Sequence, residues 1–176
     1  MAHDTEVTAL RDLLDDLVGR IAEEVRGVLD GIDDAHLVHR PDPEANTIAW
    51  LLWHLTRVED DHVADLGGHE QVWIAEGYHD RFGLPFEPHE HGYGHTSKQV
   101  AAVRSSAADL RDYQDAVHEL ARRYVAGVDA AELTRVVDTA WDPPVTAGVR
   151  LVSVLSDCLQ HVGQAGYVRG LAERAG

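Results

Sequence analysis

Apolar residues recur at every third or fourth position in four long stretches of the chain. In the first stretch, residues 5–32, one helical face carries Val7, Leu10, Leu14, Leu17, Ile21, Val25, Val28 and Ile32. This spacing is typical of an amphipathic helix that buries one side. The same period continues over about 48–66, 97–126 and 147–172. The pattern therefore predicts four long helices.

Capping residues stand at the ends of these stretches. Asn46 or Thr47 can cap the second helix, because a side-chain oxygen there can accept from the free backbone N–H groups of the first turn. Thr146 can cap the fourth helix in the same way. Gly67 and Gly68 are expected to end the second helix.

Two connections lack the helical period. Residues 67–96 are rich in Gly, Pro, His and aromatic side chains. Such long irregular loops are commonly functional lids, and we expect a short helix near Trp73 within this one. Residues 134–145 contain β-branched residues followed by Pro143 and Pro144, which favour an extended connector.

These elements predict an all-α fold. Four amphipathic helices bury their apolar faces most simply as a four-helix bundle, here with one long connection between helices two and three. The content of β-strand should be close to nil. A chain of 176 residues with 44% hydrophobic residues has the size of one domain, so a single bundle domain over residues 1–176 is expected.

The net charge of the chain indicates which classes of partner to expect. The chain has 31 Asp and Glu against 15 Lys and Arg, a formal net charge of −16. Such a surface repels phosphate backbones and anionic membranes, so nucleic-acid and membrane partners are not expected. The acidic residues are spread along the chain, which is typical of a well-solvated surface.

The cysteine content and the first residues bear on localisation. Cys158 is the only cysteine, so an intramolecular disulfide is impossible. The chain starts without a basic segment followed by an apolar core, and no apolar run approaches the roughly 20 residues that span a bilayer. These features favour a cytoplasmic protein.

Three side chains on the predicted inner faces could bind a metal ion. His54 lies within the apolar stripe of the second helix, while Asp157 and His161 are four residues apart on the inner side of the fourth. Burying these groups costs several kcal/mol unless they are paired or coordinated. Two histidines and one carboxylate are a common three-ligand set for a catalytic divalent ion. The spacing alone leaves an alternative open, in which Asp157 merely forms a hydrogen bond with His161.

The chain resembles a known superfamily over nearly its whole length. Three stretches are similar to the DinB-like superfamily, particularly its actinobacterial branch of mycothiol-dependent enzymes: NTIAWLLWHLTRVEDDHVADL, GYGHTSKQVAAV and VTAGVRLVSVLSDCLQHVGQAGYVRGL. That branch includes mycothiol S-transferases and the N-terminal domain of mycothiol-dependent maleylpyruvate isomerase. The most specific parts are the WHL segment that contains His54 and the segment HVGQAGYVRG.

The resemblance implies a metal-dependent enzyme. It assigns the metal ligands to His54, Asp157 and His161, with a carboxylate at the middle position where histidine is frequent. It implies zinc as the metal, with nickel, manganese or magnesium as alternatives, and a homodimer. It also implies a low-molecular-weight thiol cosubstrate such as mycothiol, whose thiolate attacks a small electrophilic molecule, with no catalytic residue beyond the metal centre.

Four residues around these ligands are candidates for substrate binding. Gln164 lies one turn beyond His161, and Arg169 follows about one turn later. Trp73 could line a pocket wall under the long loop. His95, or else His91, could cover the metal as part of that lid, although His95 or Thr96 could instead cap the third helix.

Two other residues are interpreted as structural. We expect His62 to be a partly exposed polar residue, and Cys158 to be a buried core residue rather than a nucleophile.

Three functions remain open from the sequence. The leading one is thiol S-transfer. A metal-dependent hydrolase or isomerase would use water in place of the thiol, and a metal-stabilised stress-response module would bind without catalysis.

Overall fold

The computed structural model describes residues 2–175, and each of the four predicted helical stretches is mainly helical in it. In chain order the elements are α1 (Ala2–Leu29), α2 (Asp34–Leu37), α3 (Ile48–Gly67), α4 (Val72–Ala75), α5 (Tyr78–Phe82), α6 (Ser97–Ala102), α7 (Ala107–Val125), α8 (Ala130–Thr134), β1 (Val136–Asp138), β2 (Val145–Thr146) and α9 (Ala147–Ala175). The two short strands pair antiparallel in the predicted extended connector. The all-α prediction is therefore confirmed.

The ends of α3 and α9 follow from local chemistry. The Thr47 side chain accepts a hydrogen bond from the Trp50 backbone N–H at 3.0 Å and so caps α3. Gly68 ends that helix at a φ of +67°, a left-handed conformation that glycine adopts without strain. At α9, Thr146 accepts from the Val149 N–H at 3.3 Å.

The prediction of one continuous third helix is wrong. The helix divides into α6 and α7 between Ala102 and Ala107, where Val103 is extended with a ψ of 101°. Ser106 starts α7 by accepting from the Asp109 N–H at 3.0 Å. A serine side chain that bonds the backbone in this way competes with continuation of a helix. Val103 is still buried, which explains why the apolar stripe runs through the break.

The core lies around α3. This helix packs against α7 and α9, and α1 packs against the same two helices, so four long helices enclose one main apolar cluster. Most of α3 is buried, on all sides of its first half. A helix in this position can direct polar side chains only into the protein, which makes each of them a candidate for function or for internal pairing.

The long connection after α3 is more ordered than predicted. The short helices α4 and α5 lie in it, and Trp73 of α4 is only 2% exposed. The Trp73 ring packs against Tyr113 and Phe82, with centroid distances of 5.1 Å to each, so this residue belongs to the core and not to a pocket wall. No helix within residues 2–175 is long and apolar enough to cross a membrane.

Candidate metal centre

Three side chains from α3 and α9 meet at one point. His54, Asp157 and His161 each offer one ligand atom, and these atoms all lie within 4.8 Å of one another. The two imidazole rings meet edge to face at a centroid distance of 4.8 Å. Residues about 100 positions apart in the sequence are therefore brought into one site by the packing of α3 against α9.

His54 is held in one orientation by its neighbours. Its ring is 6% exposed and stacks on the Trp50 indole at a centroid distance of 4.6 Å. The Nδ1 atom is hydrogen bonded to the His91 carbonyl. Because a carbonyl oxygen can only accept, Nδ1 is assigned the hydrogen and Nε2 keeps a free lone pair. Burial lowers the pKa of His54 to about 4, so the ring is neutral at pH 7, as a metal ligand must be.

Asp157 and His161 are partly exposed on α9. The Asp157 Oδ1 atom lies 3.5 Å from Nε2 of His161. This interaction lowers the pKa of Asp157 and raises that of His161. The Gln164 Oε1 atom lies 3.1 Å from Nδ1 of His161, so the amide oxygen can hold the hydrogen on Nδ1 here as well.

The second oxygen of Asp157 is the observation that favours an ion. Its Oδ2 atom is buried and has no hydrogen-bond partner among residues 2–175. A buried carboxylate oxygen without a partner costs about 1–3 kcal/mol or more. Pairing with His161 accounts for Oδ1 alone, whereas a divalent cation would satisfy both oxygens and the imidazole lone pairs. Two nitrogen donors and one carboxylate fit such an ion.

A loop segment closes the site on the Nδ1 side of His54. Gly92 follows His91 with a φ of +100°, and a Cβ atom there would lie 2.8 Å from Nδ1 of His54 and 3.1 Å from Cζ3 of Trp53. Only glycine fits this approach without displacement. From the sequence His91 was a possible lid residue over the metal, but neither the contact of its carbonyl with His54 nor the role of Gly92 was predicted. The glycines in HGYG were the available signal, but a main-chain carbonyl leaves no mark in a sequence.

His95 lies beside the site without touching the ligands. Its side chain is 3% exposed, and its Nδ1 accepts from the Trp50 indole N–H at 3.2 Å. Its Nε2 lies 3.4 Å from Glu90. Thr96 caps α6 through a reciprocal pair of bonds with Gln99, so of the two predicted capping residues it is Thr96 that acts.

Arg169 is directed away from the site. Its Nη1 donates to the carbonyls of Gly27 and Val28 at 2.9 Å each, and its Nε pairs with Glu173 at 2.7 Å. These bonds satisfy carbonyls at the end of α1. The predicted substrate contact of Arg169 therefore finds no support in its position, and that of Trp73 finds none either, whereas Gln164 touches a ligand.

A polar pocket lies about two helical turns from the ligands, where α3 packs against α9. His62, two turns after His54, lies 3.1 Å from Arg150, which is two turns before Asp157, so the two helices run antiparallel. The cavity between them has a volume of about 310 Å³, and its lining is mainly polar: Asp61, His62, Asp65, His69, Gln71 and Arg150. Carboxylates, an amide and a guanidinium are therefore available in a pocket two turns from the three ligands.

Cys158 does not take part in this chemistry. The thiol is fully buried, and its Sγ lies 3.6 Å from the Leu55 carbonyl. Burial raises the pKa of Cys158 well above its usual range, which keeps it an inert thiol. The prediction that this cysteine is a core residue is confirmed.

Comparison with known proteins agrees with the fold and names a family. The crystal structure of a conserved protein from Enterococcus faecalis is 30% identical, superposes with a TM-score of 0.84, and matches 90% of this chain and 94% of its own. No curated protein matches the chain. These similarities support the predicted DinB-like four-helix fold. The family model for mycothiol S-transferase matches residues 9–173, and the protein therefore belongs to the mycothiol S-transferase family.

Proposed function

We propose that the protein is a metal-dependent thiol S-transferase that uses mycothiol or a similar low-molecular-weight thiol. The family match supports the thiol and the transfer reaction. The observation that supports the metal is the buried Oδ2 atom of Asp157, which lacks a partner within the described chain and lies beside two imidazoles. On this proposal the ligands are His54, Asp157 and His161, and zinc is the metal that their donor atoms suit best.

The metal's role in this proposal is to activate sulfur. A divalent ion held by His54, Asp157 and His161 would lower the pKa of a thiol bound to it and so favour the reactive thiolate. The protein's own groups prepare this state. His54 is kept neutral by burial, and Gln164 and the His91 carbonyl hold the hydrogens of the two histidines on Nδ1.

The transfer step needs no further catalytic side chain. The thiol proton passes to solvent, the sulfur electron pair forms a bond to an electrophilic carbon, and the leaving group departs with the electrons of the bond that breaks. Gln164 is exposed beside His161, and its amide N–H group is free to donate to the thiol or the electrophile. Trp50, stacked on His54, keeps water from that side of the site.

On this proposal the body of the thiol lies in the polar pocket two turns from the ligands. The pocket's carboxylates, amide and guanidinium can donate and accept hydrogen bonds with hydroxyl groups. The two carboxylates of Asp61 and Asp65 outnumber the single guanidinium of Arg150, so this lining would repel a thiol that carries free carboxylates. The pocket therefore favours a hydroxyl-rich thiol without net charge as the cosubstrate.

The experiment measures metal content and thiol transfer together. Purified protein is mixed with a bimane electrophile and mycothiol, another thiol or none, before and after chelation. We expect about one divalent ion per chain and a rate with mycothiol that chelation abolishes. Replacing one ligand, by His54→Ala or His161→Ala, should weaken metal binding by about a hundredfold or more and remove the transfer rate.

The matched control is His118→Ala, because His118 is as buried as His54 but lies on α7, outside the site. This variant should keep both metal and rate. Metal retained by the His54 and His161 variants would contradict the site. A rate no higher than background with every thiol would contradict S-transfer and favour water as the nucleophile or a binding role.

A further inference from the structure

Arg57 is a fully buried arginine of α3 that reaches into the loop beside the metal centre. Its side chain is 0% exposed. Nη2 donates to the Pro88 carbonyl at 3.2 Å, and Nε donates to the Glu90 carbonyl at 3.3 Å. Nη1 donates to Oε1 of Gln71 at 2.8 Å. One guanidinium therefore binds two main-chain carbonyls and one side chain of the connection between α3 and α6.

The charge of Arg57 is balanced by a second buried group. Asp60 is also 0% exposed and lies 3.6 Å from Nη1 of Arg57. Its two oxygens accept the backbone N–H groups of Val72 and Trp73 at 2.8 Å each. Asp60 thus holds the beginning of the connection while Arg57 holds its later part. A buried ion pair contributes little net stability by itself, so its value here lies in what it positions.

The segment held by Arg57 continues directly into the contact with His54. Glu90, whose carbonyl Arg57 binds, precedes His91, whose carbonyl accepts from Nδ1 of His54. Gly92 then passes so close that a Cβ would lie 2.8 Å from the same atom. The hydrogen bond from Arg57 fixes the position of the Glu90 carbonyl. This limits where the His91 carbonyl can lie, because consecutive peptide planes are joined by only two soft torsions.

We infer that Arg57 is a positioning residue of the metal centre. By holding the Pro88 and Glu90 carbonyls, it places the His91 carbonyl where it keeps the hydrogen on Nδ1 of His54 and leaves Nε2 for the ion. The inference rests on the proposed function only for the presence of that ion. Groups that orient a ligand histidine in this way typically change metal affinity 10- to 100-fold when they are lost.

The geometry requires arginine. A planar guanidinium can donate in several fixed directions at once, whereas a lysine ammonium is a single point on a flexible stem. Lysine at position 57 would keep the charge beside Asp60 but could not bind both carbonyls and Gln71 in the same geometry. Arg57→Lys therefore removes the positioning while it preserves the buried ion pair.

The test reads the state of His54 directly in the metal-free protein. The ¹⁵N chemical shifts of the imidazole at pH 7.5 show which nitrogen carries the hydrogen, and a zinc titration with a competing chelator gives the Kd. Wild type should show one Nδ1–H form. In Arg57→Lys we expect a mixture of the two tautomers and a zinc Kd about tenfold weaker or more.

The matched control is Arg40→Lys. Arg40 also donates to two main-chain carbonyls, of Ala45 (2.6 Å) in the connection before α3 and of Ser97 (3.3 Å) at the start of α6, but it does not bind the segment that reaches His54. This variant should also lose stability, because two carbonyls lose their donor, and should leave the tautomer and the zinc Kd unchanged. Equal effects of the two lysine variants on the tautomer and on the zinc Kd would overturn the inference.

A milder variant covers the case in which Arg57→Lys does not fold. Gln71→Met removes the acceptor that orients Nη1 and leaves the Arg57–Asp60 pair intact, so it should shift the tautomer and the Kd in the same direction by less. An unchanged tautomer in every folded variant contradicts the inference. Because the tautomer is read without metal or thiol, absence of S-transfer would contradict the proposed function and leave this result standing.

Discussion

Glu59 is a buried acid that the proposed reaction does not use. It is 0% exposed, and its Oε2 accepts from Nε2 of Gln114 at 3.0 Å, while Oε1 has no partner within residues 2–175. Burial raises the pKa of Glu59 to about 7. In the sequence this residue stands in the run VEDDH, which looks like a solvated surface. Only the central position of α3 reveals that the side chain faces the core.

Replacing Glu59 by glutamine should change how stability depends on pH. In the folded protein the carboxyl ionises near pH 7, and in the unfolded chain near 4.5, so the folded state loses stability as the pH rises between these values. Glu59→Gln lacks this loss. We expect its free energy of unfolding, relative to wild type, to increase by about 3 kcal/mol between pH 4.5 and pH 8.

The measurement is urea unfolding of metal-free protein at several pH values. Glu24→Gln, at an exposed position of α1, is the control and should follow wild type throughout. A constant difference between Glu59→Gln and wild type across this range would show that the Glu59 carboxyl titrates normally.

Gly92 should tolerate no side chain. Gly92→Ala places a methyl group 2.8 Å from Nδ1 of His54 on a backbone with positive φ, so the loop must move and the His91 carbonyl with it. We expect a zinc affinity at least about tenfold weaker, measured by competition with a chelator. Gly94→Ala is the control, because its φ is also positive while a Cβ there meets nothing within 4 Å. Equal zinc affinities of the two variants would contradict the close approach.

The candidate metal ligands could be predicted from the position of individual residues in the sequence. The groups that orient these ligands could not be predicted in this way. His54 stood out because it interrupts an apolar stripe, and Asp157 and His161 because their spacing places them on one helical face. Their supports act through a main-chain carbonyl and through Arg57, whose burial depends on helices distant in sequence. Side-chain periodicity carries no information about such contacts.

At the level of elements, helical periodicity located the long helices but not the interruption of the third. The stripe from Val100 through Val103 to Leu110 keeps its spacing across the break, since all three residues are buried. Ser106, which caps the beginning of α7, is the local sequence signal for the second helix. The position of Arg169 could not be predicted from periodicity either, because its bonds to the end of α1 depend on how α9 packs against α1.

Removing the cap of α7 should destabilise the bundle modestly. Ser106 accepts from the Asp109 N–H at 3.0 Å and donates to the Asp109 carboxylate at 2.7 Å. Ser106→Ala should lower the free energy of unfolding by about 1 kcal/mol. Chemical denaturation measures this change, with Ser105→Ala as the control that leaves the cap intact. A loss of the same size in both variants would show that the break does not depend on this cap.

For the whole molecule, an ion at the proposed site would join two helices that are remote in sequence. His54 belongs to α3 and the other ligands to α9, so binding requires the folded arrangement. A ligand that binds only the folded state stabilises it by about 2.7 kcal/mol at a free concentration of 100 times its Kd.

We therefore expect zinc to raise the unfolding temperature of the wild-type protein and not that of Asp157→Asn. Thermal unfolding with and without chelator measures both proteins under the same conditions. Asp157→Asn keeps the shape of the side chain, so its metal-free unfolding temperature serves as the internal control. An equal increase in both proteins would place the bound zinc elsewhere.

The stacking of Trp50 on His54 gives the protein an intrinsic optical probe. The indole lies 4.6 Å from one candidate ligand ring and 6.2 Å from the His161 ring, closer than any other tryptophan ring contact with these two residues in the described chain. An excited indole at this distance loses its energy to an open-shell ion such as Ni²⁺ but not to closed-shell Zn²⁺. Fluorescence should therefore distinguish the two metals on the intact protein, and Trp50→Phe should abolish that difference.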